Sequence, residues 1–110
     1  MNEARRALAA VALPDGIYAI GGYDGKQYLA SVEKFDLQTK SWVQLRPMDT
    51  PRCTLSAVAS NDCQYIYAMG GFNGSALDIV ERYNIMTDEW EYITPMIHKR
   101  FMHEAVAMIM

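Results

Sequence analysis

The 110-residue chain is 51% hydrophobic and 21% charged, a balance that is too apolar for a disordered segment and suits one small folded domain. Its formal net charge of −3 argues against nucleic acid as a partner, and no apolar run approaches the length that crosses a membrane. Residues 1–6 are polar and charged with no long apolar core behind them, so we expect no secretory signal and a cytoplasmic protein.

Short strands are predicted throughout, because Gly, Pro, Asp and Asn interrupt the chain at short intervals and no helical period survives between them. In chain order, the first four cover about residues 7–13, 17–21, 30–35 and 42–45. The first consists of small residues, which suits a crowded innermost position. The second leads to Asp24-Gly25, a dipeptide typical of a turn.

The same pattern returns in the second half of the chain. IYAIGGYDG at residues 17–25 recurs 49 residues later as IYAMGGFNG at 66–74. VEKFD at 32–36 recurs 48 residues later as VERYN at 80–84. Four strands in about 48 residues are typical of one blade of a β-propeller.

A third, partial copy is indicated by Met-x-x-x-Arg, which begins at Met1, Met48 and Met96. Each instance precedes a run of small apolar residues. The predicted units are therefore residues 1–47, residues 48–95, and the first strand of a third unit in residues 96–110.

The sequence resembles the kelch repeat over essentially its whole length, through Gly-Gly after an apolar strand, then Tyr or Phe, a later Trp, Pro-Met and Arg. The resemblance implies an all-β fold, a partial β-propeller of two four-stranded antiparallel blades plus one extra strand. The sequences VEKFD at 32–36 and VERYN at 80–84 are most similar to those of kelch-like proteins that pair a BTB domain with six blades. Such proteins recruit substrates to a cullin-based ubiquitin ligase. The resemblance implies a protein-binding scaffold that is not an enzyme and has no cofactor, and that meets a cullin only through a BTB domain absent from these 110 residues.

Most repeated residues have a structural interpretation. The glycine pairs lack the later residues of a phosphate-binding loop, so close backbone packing or a β-bulge is favoured for them. The tryptophans are expected to fill the space between neighbouring blades, and Tyr18 and Tyr67 to lie in or near the core. The structural repeat residues are Gly21, Gly22, Trp42, Gly70, Gly71 and Trp90.

The repeated carboxylates are also interpreted as structural. Glu33 and Glu81 are expected to form salt bridges with the repeating Arg52 and Arg100, because a catalytic carboxylate has no reason to recur in every blade.

Two motifs and the cysteines carry little functional signal. His98 and His103 fall on opposite faces of a strand and no cysteine pair completes a zinc set, so no metal site is predicted. The sequon at 73–75 is interpreted as a turn, because it matches Asp24-Gly25. A hairpin disulfide between Cys53 and Cys63 is possible, but reduced thiols are favoured.

Positions that differ between otherwise matching copies are free of the shared structural demand and can carry specificity. In the kelch-like proteins that the sequence resembles, the residue after the glycines and the residue after the Arg line the peptide-binding face. The predicted partner-binding residues are Tyr23, Phe72, Arg6, Cys53 and Phe101. Cys53 and Phe101 depart from the small hydroxyl residue that many family members carry, which weakens the expectation of an acidic peptide. That these are merely rim residues stays open.

Three functions are weighed. Substrate recognition for a ubiquitin ligase is favoured over an actin-binding or other cytoskeletal scaffold, and a propeller oxidase lacks copper ligands at the axis. The expected partner is a protein or peptide segment. Because a ring needs several blades, a homo-oligomer that completes the ring, with three chains of two blades, is also expected.

Overall fold

The computed structural model describes residues 4–93, which form two four-stranded antiparallel sheets and, within that range, no helix. The strands of the first sheet are β1 (Ala9–Leu13), β2 (Gly16–Tyr23), β3 (Tyr28–Asp36) and β4 (Ser41–Leu45). Those of the second are β5 (Ser56–Ala59), β6 (Tyr65–Met69), β7 (Val80–Asn84) and β8 (Glu89–Ile93). Each sheet keeps its strands in chain order, so the all-β fold of two antiparallel blades is confirmed. The predicted strand in 96–110 lies outside the described residues.

The second and third strands are longer than their predicted ranges of 17–21 and 30–35. β2 continues to Tyr23 through a register shift after Ile20, and β3 begins at Tyr28, which pairs with Tyr23. The turn between them closes because the Asp24 carboxylate accepts backbone N–H groups of Lys26 and Gln27, both at 2.8 Å. The hairpin therefore holds two aromatic residues at its tip, where the sequence pattern indicated only a turn.

The core lies between the two sheets. Side chains alternate along a strand, so Tyr18, Ile20 and Val32 share one face of the first sheet, and all three are buried. Ile66 and Tyr83 belong to the facing side of the second sheet and complete the same cluster. The sheets are thus held together mainly by apolar burial, worth roughly 1.5–3 kcal/mol for each large side chain.

The innermost strands, β1 and β5, contact each other across the two sheets. Both are made of small residues, as the sequence pattern predicted for a crowded inner position.

The connector at 46–55 fastens the second sheet to the first through backbone hydrogen bonds. The Met48 N–H donates to the Ala30 carbonyl at 2.8 Å, and the Thr54 N–H donates to the Ala7 carbonyl at 2.7 Å. Met48 itself is buried in the core cluster. The relative position of the blades is therefore fixed by hydrogen bonds as well as by packing.

The two tryptophans occupy different environments. Trp90 packs on Tyr83 at a ring separation of 5.0 Å, and its indole N–H donates at 2.8 Å to the carbonyl of Arg46, the first residue of the connector after β4. Trp42 packs on Phe35 at 5.4 Å, on the face of the first sheet that points away from the second. Of the two sheets described, only the second therefore uses its tryptophan between blades.

Candidate partner-binding face

The glycine pairs bring backbone segments into close contact at one end of each sheet. Gly21 and Gly22 have φ values of +65° and +116°, and a Cβ at Gly22 would lie 2.9 Å from the Arg6 carbonyl oxygen. The Gly22 N–H donates to the Arg52 carbonyl at 2.8 Å. Gly71 repeats the arrangement, with φ +100°, and a Cβ there would lie 2.7 Å from the Cys53 carbonyl oxygen. Glycine is required here by conformation and by space.

Four of the five predicted partner-binding residues meet in pairs directly after these glycines. Arg6 and Tyr23 exchange backbone hydrogen bonds of 3.0 and 2.9 Å. Cys53 and Phe72 exchange two of 2.9 Å in the second sheet. The same geometry thus presents a different pair of side chains from each blade. Phe101, the fifth residue, lies outside the described residues.

A continuous row of aromatic rings runs across this end of the two sheets. Tyr28 lies between Tyr23 and Phe72, at ring-centroid distances of 5.2 and 6.0 Å respectively. The guanidinium of Arg6 extends the row, 5.3 Å from the centre of the Tyr23 ring. We call these four side chains the aromatic row.

Tyr28 is the one member of the aromatic row that the sequence pattern did not indicate. A difference between matching copies, the signal used for the other residues, also identifies Tyr28, because the second unit carries Ala76 and Leu77 at the corresponding place. Its inclusion rests on the pairing of Tyr23 with Tyr28 and on the approach of Phe72 from the second blade.

One predicted residue is placed differently from the expectation. Phe72 is 40% exposed and Arg6 is exposed, whereas Cys53 is only 8% exposed, so the prediction that Cys53 is displayed to a partner is wrong. Arg6 makes the same pair of backbone hydrogen bonds and is exposed, so side-chain length makes the difference: the short thiol stays within the packed edge, whereas the long Arg6 side chain reaches the surface. Cys53 and Cys63 are both free thiols.

The repeated Arg and Glu residues form buried ion pairs. Arg52 and Glu81 are both fully buried, 2.8 Å apart, and Arg52 also donates to the Gly70 and Ile79 carbonyls at 3.0 Å. This confirms a structural partner for Glu81. Burial raises the pKa of the Glu81 carboxyl and lowers the pKa of the Arg52 guanidinium, because a dry site disfavours both charges.

The expected partner of Glu33 is wrong. Glu33 pairs with Arg5 at 2.8 Å and not with Arg52, because each arginine turns back into its own blade. Arg100 lies outside the described residues. Both observed pairs are fully buried, which fits a structural role.

Within residues 4–93, no group of three or more His, Cys, Asp and Glu side chains could hold a metal ion. His98 and His103 fall outside that range. In the sequon, the Asn73 amide donates to the Pro51 carbonyl at 3.2 Å, and Gly74 has φ +112°, as a turn requires. The same part of the chain contains no helix that is long and apolar enough to cross a membrane.

A family model described as the Kelch motif matches this chain twice, at residues 4–49 and 51–97. The chain belongs to the kelch-repeat family. Kelch repeats are generally non-enzymatic interaction modules, and the two matched segments contain the two sheets described above.

Curated kelch proteins give the same result. The chain is 39% identical over 79 residues to the influenza virus NS1A-binding protein homolog of Xenopus laevis, covering 72% of this chain and 12% of that protein. It is 32% identical over 99 residues to human Kelch domain-containing protein 10, covering 83% and 22% respectively. With mouse Kelch-like protein 35 it shares 29% identity over 110 residues, covering 98% and 19%. The kelch chain thus spans less than a quarter of the length of these relatives.

Proposed function

We propose that this chain is the protein-binding part of a kelch scaffold and that it binds its partner through the aromatic row. The observation that carries the proposal is the alignment of Tyr23, Tyr28 and Phe72 across two blades, with Arg6 at one end. Tyr and Arg are enriched among residues that dominate binding energy, and aromatic rings add contact area at low entropic cost. The relative named as an NS1A-binding protein homolog supports a protein partner by analogy.

The finer proposal is that the scaffold selects substrates for a cullin-RING ubiquitin ligase and is itself not an enzyme. Its support is the similarity to Kelch-like protein 35 and the resemblance to proteins that carry a BTB domain. In that role the aromatic row holds the substrate, and a BTB domain elsewhere in a longer protein holds the cullin. We propose a cytoplasmic location for it.

The test is affinity capture with two double variants of the chain, analysed by quantitative mass spectrometry. Tyr23→Ala with Phe72→Ala removes the aromatic rings at both ends of the row. It should weaken binding of the partner by about tenfold or more, with little change in melting temperature. The matched control, Leu37→Ala with Met86→Ala, removes exposed apolar side chains from turns at the opposite end of the sheets, which are 49% and 83% exposed. Loss of the partner in the control and retention in the first variant would contradict the proposal.

The ligase role has its own readout. In cells, a full-length parent protein should co-purify with a cullin, and the captured partner should become less abundant when the parent is overexpressed. A partner that binds the aromatic row but brings no cullin would refute the ligase role and leave the scaffold role standing.

A further inference from the structure

We infer that the aromatic row recognises an extended, proline-containing peptide segment with a single acidic residue at one end. The inference rests on the proposed function and specifies the partner of the same face. It follows from three features of the row: its backbone is already paired, its rings contact one another in succession, and Arg6 lies at its first-blade end.

The backbone around the row has no free edge on which a peptide strand could add. Arg6 and Tyr23 satisfy each other's N–H and carbonyl groups, and Cys53 and Phe72 do the same. The Gly22 N–H is likewise taken by Arg52. A peptide that binds as an added strand depends on such main-chain groups, so the row must recognise its partner through side chains.

The rings form a preorganised apolar track. Tyr28 lies 5.2 Å from Tyr23 and 6.0 Å from Phe72, at interplanar angles of 48° and 72°. A polyproline II segment advances about 3.1 Å per residue, so a segment of at most about four residues spans the three rings. Proline-rich segments dock on aromatic grooves of this kind because their extended conformation costs little entropy to fix.

Polar groups along the track suit such a segment. Within residues 4–93, the phenol hydroxyls of Tyr23 and Tyr28 form no hydrogen bond. The Tyr18 hydroxyl, by contrast, donates to the Asp15 carboxylate. They are therefore available to donate to the exposed carbonyl groups that a polyproline II segment carries. The thiol of Cys53, by contrast, is buried and offers a partner nothing.

The cation at the first-blade end of the row is Arg6. The other charged side chains of this hairpin, Asp24 and Lys26, lie in the turn between Tyr23 and Tyr28, where the Asp24 carboxylate accepts backbone N–H groups. Arg6 is exposed and forms no salt bridge among the described residues, while its guanidinium is held over the Tyr23 ring at 5.3 Å. Around Phe72 the neighbouring side chains Asn73, Ser75 and Ala76 are uncharged. One carboxylate placed at Arg6 is matched, whereas a second one placed beyond Tyr28, beside Phe72, meets no cation among the side chains of residues 73–76. The row therefore selects one acidic residue and disfavours an acidic cluster.

The experiment uses the whole 110-residue chain, purified by size-exclusion chromatography in its soluble oligomeric state, and fluorescently labelled synthetic octapeptides, measured by fluorescence polarisation. The probe set carries one aspartate followed by three prolines interspersed with leucine, with the aspartate placed at each position in turn. Matched peptides replace Asp by Asn, replace the prolines by Ala, or add two further aspartates. We expect the single-aspartate proline peptides to bind at least about tenfold more tightly than the alanine peptides and more tightly than the acidic-cluster peptides.

Two variants separate the contributions of ring and charge. Tyr28→Ala should weaken the binding of every proline peptide by about tenfold, because it removes the central ring of the three. Arg6→Gln should abolish the preference for Asp over Asn and leave the Asn peptide unchanged. Tyr92→Ala, which removes a 54% exposed tyrosine from β8 away from the row, is the control and should leave all affinities unchanged. Thermal melts of each variant verify folding.

The outcomes distinguish this inference from the proposed function. Equal or tighter binding of the alanine or acidic-cluster peptides would overturn the inference. If the Tyr23 and Phe72 variants still lose the captured protein, the binding face then stands with a different ligand class. If neither peptide binding nor protein capture responds to changes in the row, both proposals are wrong.

Discussion

At the residue scale, the glycine pairs decide how the two blades close against the connector. The evidence is the contrast between Gly71 and Gly74, which both have positive φ, at +100° and +112°. A Cβ at Gly71 would lie 2.7 Å from the Cys53 carbonyl oxygen, whereas at Gly74 it would meet nothing within 4 Å. Conformation alone demands glycine at the turn, and conformation plus space demands it beneath the row.

We expect Gly74→Ala to lower the free energy of unfolding by about 1–2 kcal/mol, the usual cost of left-handed backbone for a residue with a Cβ. Gly71→Ala should cost clearly more, because the Cys53 backbone must also move. Urea unfolding of the two variants measures the difference. Equal losses would show that the close approach to Cys53 is relieved at no cost.

The buried carboxyl of Glu81 gives a pH dependence with a defined sign. Its pKa is raised above the ordinary 4.5, with burial as the largest cause, although the Asp49 N–H, Arg52 and the Thr50 N–H oppose the shift. A carboxyl with a raised folded pKa stabilises the protein below pH 4.5, and that contribution is lost as the pH rises through the raised value.

We therefore expect the stability of the wild type relative to Glu81→Gln to decrease as the pH rises from 4.5 through the raised pKa, measured by urea unfolding at a series of pH values. Asp24→Asn is the control of opposite sign, because backbone N–H groups of Gln27 and Lys26 lower the pKa of Asp24. Its contribution is present above pH 3.8 and lost as the pH falls through the lowered value. If the difference in unfolding free energy between the wild type and Glu81→Gln did not change with pH, the raised pKa of the buried Glu81 carboxyl would be refuted.

At the scale of elements, the outer strands differ in what their tryptophans contact. Trp90 on β8 bonds to the carbonyl of Arg46, the connector residue that follows the first sheet, and the Arg46 N–H donates to the Asp88 carboxylate at 3.0 Å. Asp88 also accepts the hydroxyl of Tyr83 at 2.6 Å. The outer hairpin of the second blade is thus tied to the first blade by a small hydrogen-bonded group.

From the sequence alone, either Trp→Ala change is expected to cost about 3–5 kcal/mol. With the blade contacts included, we expect Trp90→Ala to reach that range and Trp42→Ala to cost less in the isolated chain, because among the described residues Trp42 packs within its own sheet. Denaturant unfolding of both variants decides the order. A larger loss for Trp42→Ala would mean that its sheet face is covered in solution.

At the scale of the whole molecule, two sheet faces remain without a neighbouring blade among the described residues. The face of the first sheet that carries Phe35 and Trp42 also shows Ile17, which is 42% exposed. The far face of the second sheet carries Tyr65 and Tyr67, both half-buried. Blades are stabilised by burying such faces against neighbours.

We expect the 110-residue chain on its own to form a closed oligomer, most simply a trimer of two-blade chains, or to be poorly soluble. Light scattering with size-exclusion chromatography measures this. Ile17→Lys should shift the chain towards monomer, whereas Leu37→Lys, which adds the same charge at an exposed turn, should not. A monodisperse monomer with a cooperative melt above about 50 °C would contradict the expectation, because two blades would then bury enough apolar surface to be stable without neighbours.

The sequence by itself determined the repeat, the strands and the role of the glycine pairs. These features depend on interactions that are local in the chain: a turn dipeptide such as Asp24-Gly25, the alternation along a strand, and the need for positive φ at Gly21 and Gly22. Because the two copies carry the same local signals, each supports the interpretation of the other. Tyr23 and Phe72 were identified as candidate site residues in the same way, as differences between matching copies.

Only the tertiary structure decided which residues meet between blades. It placed Tyr28 against Phe72, paired Glu33 with Arg5, and buried Cys53. These contacts depend on how one sheet stacks on the next and on where the connector returns, which are properties of packing across long stretches of chain. A repeat pattern states what each blade contains, but the faces that it buries are fixed by the neighbour on which it packs.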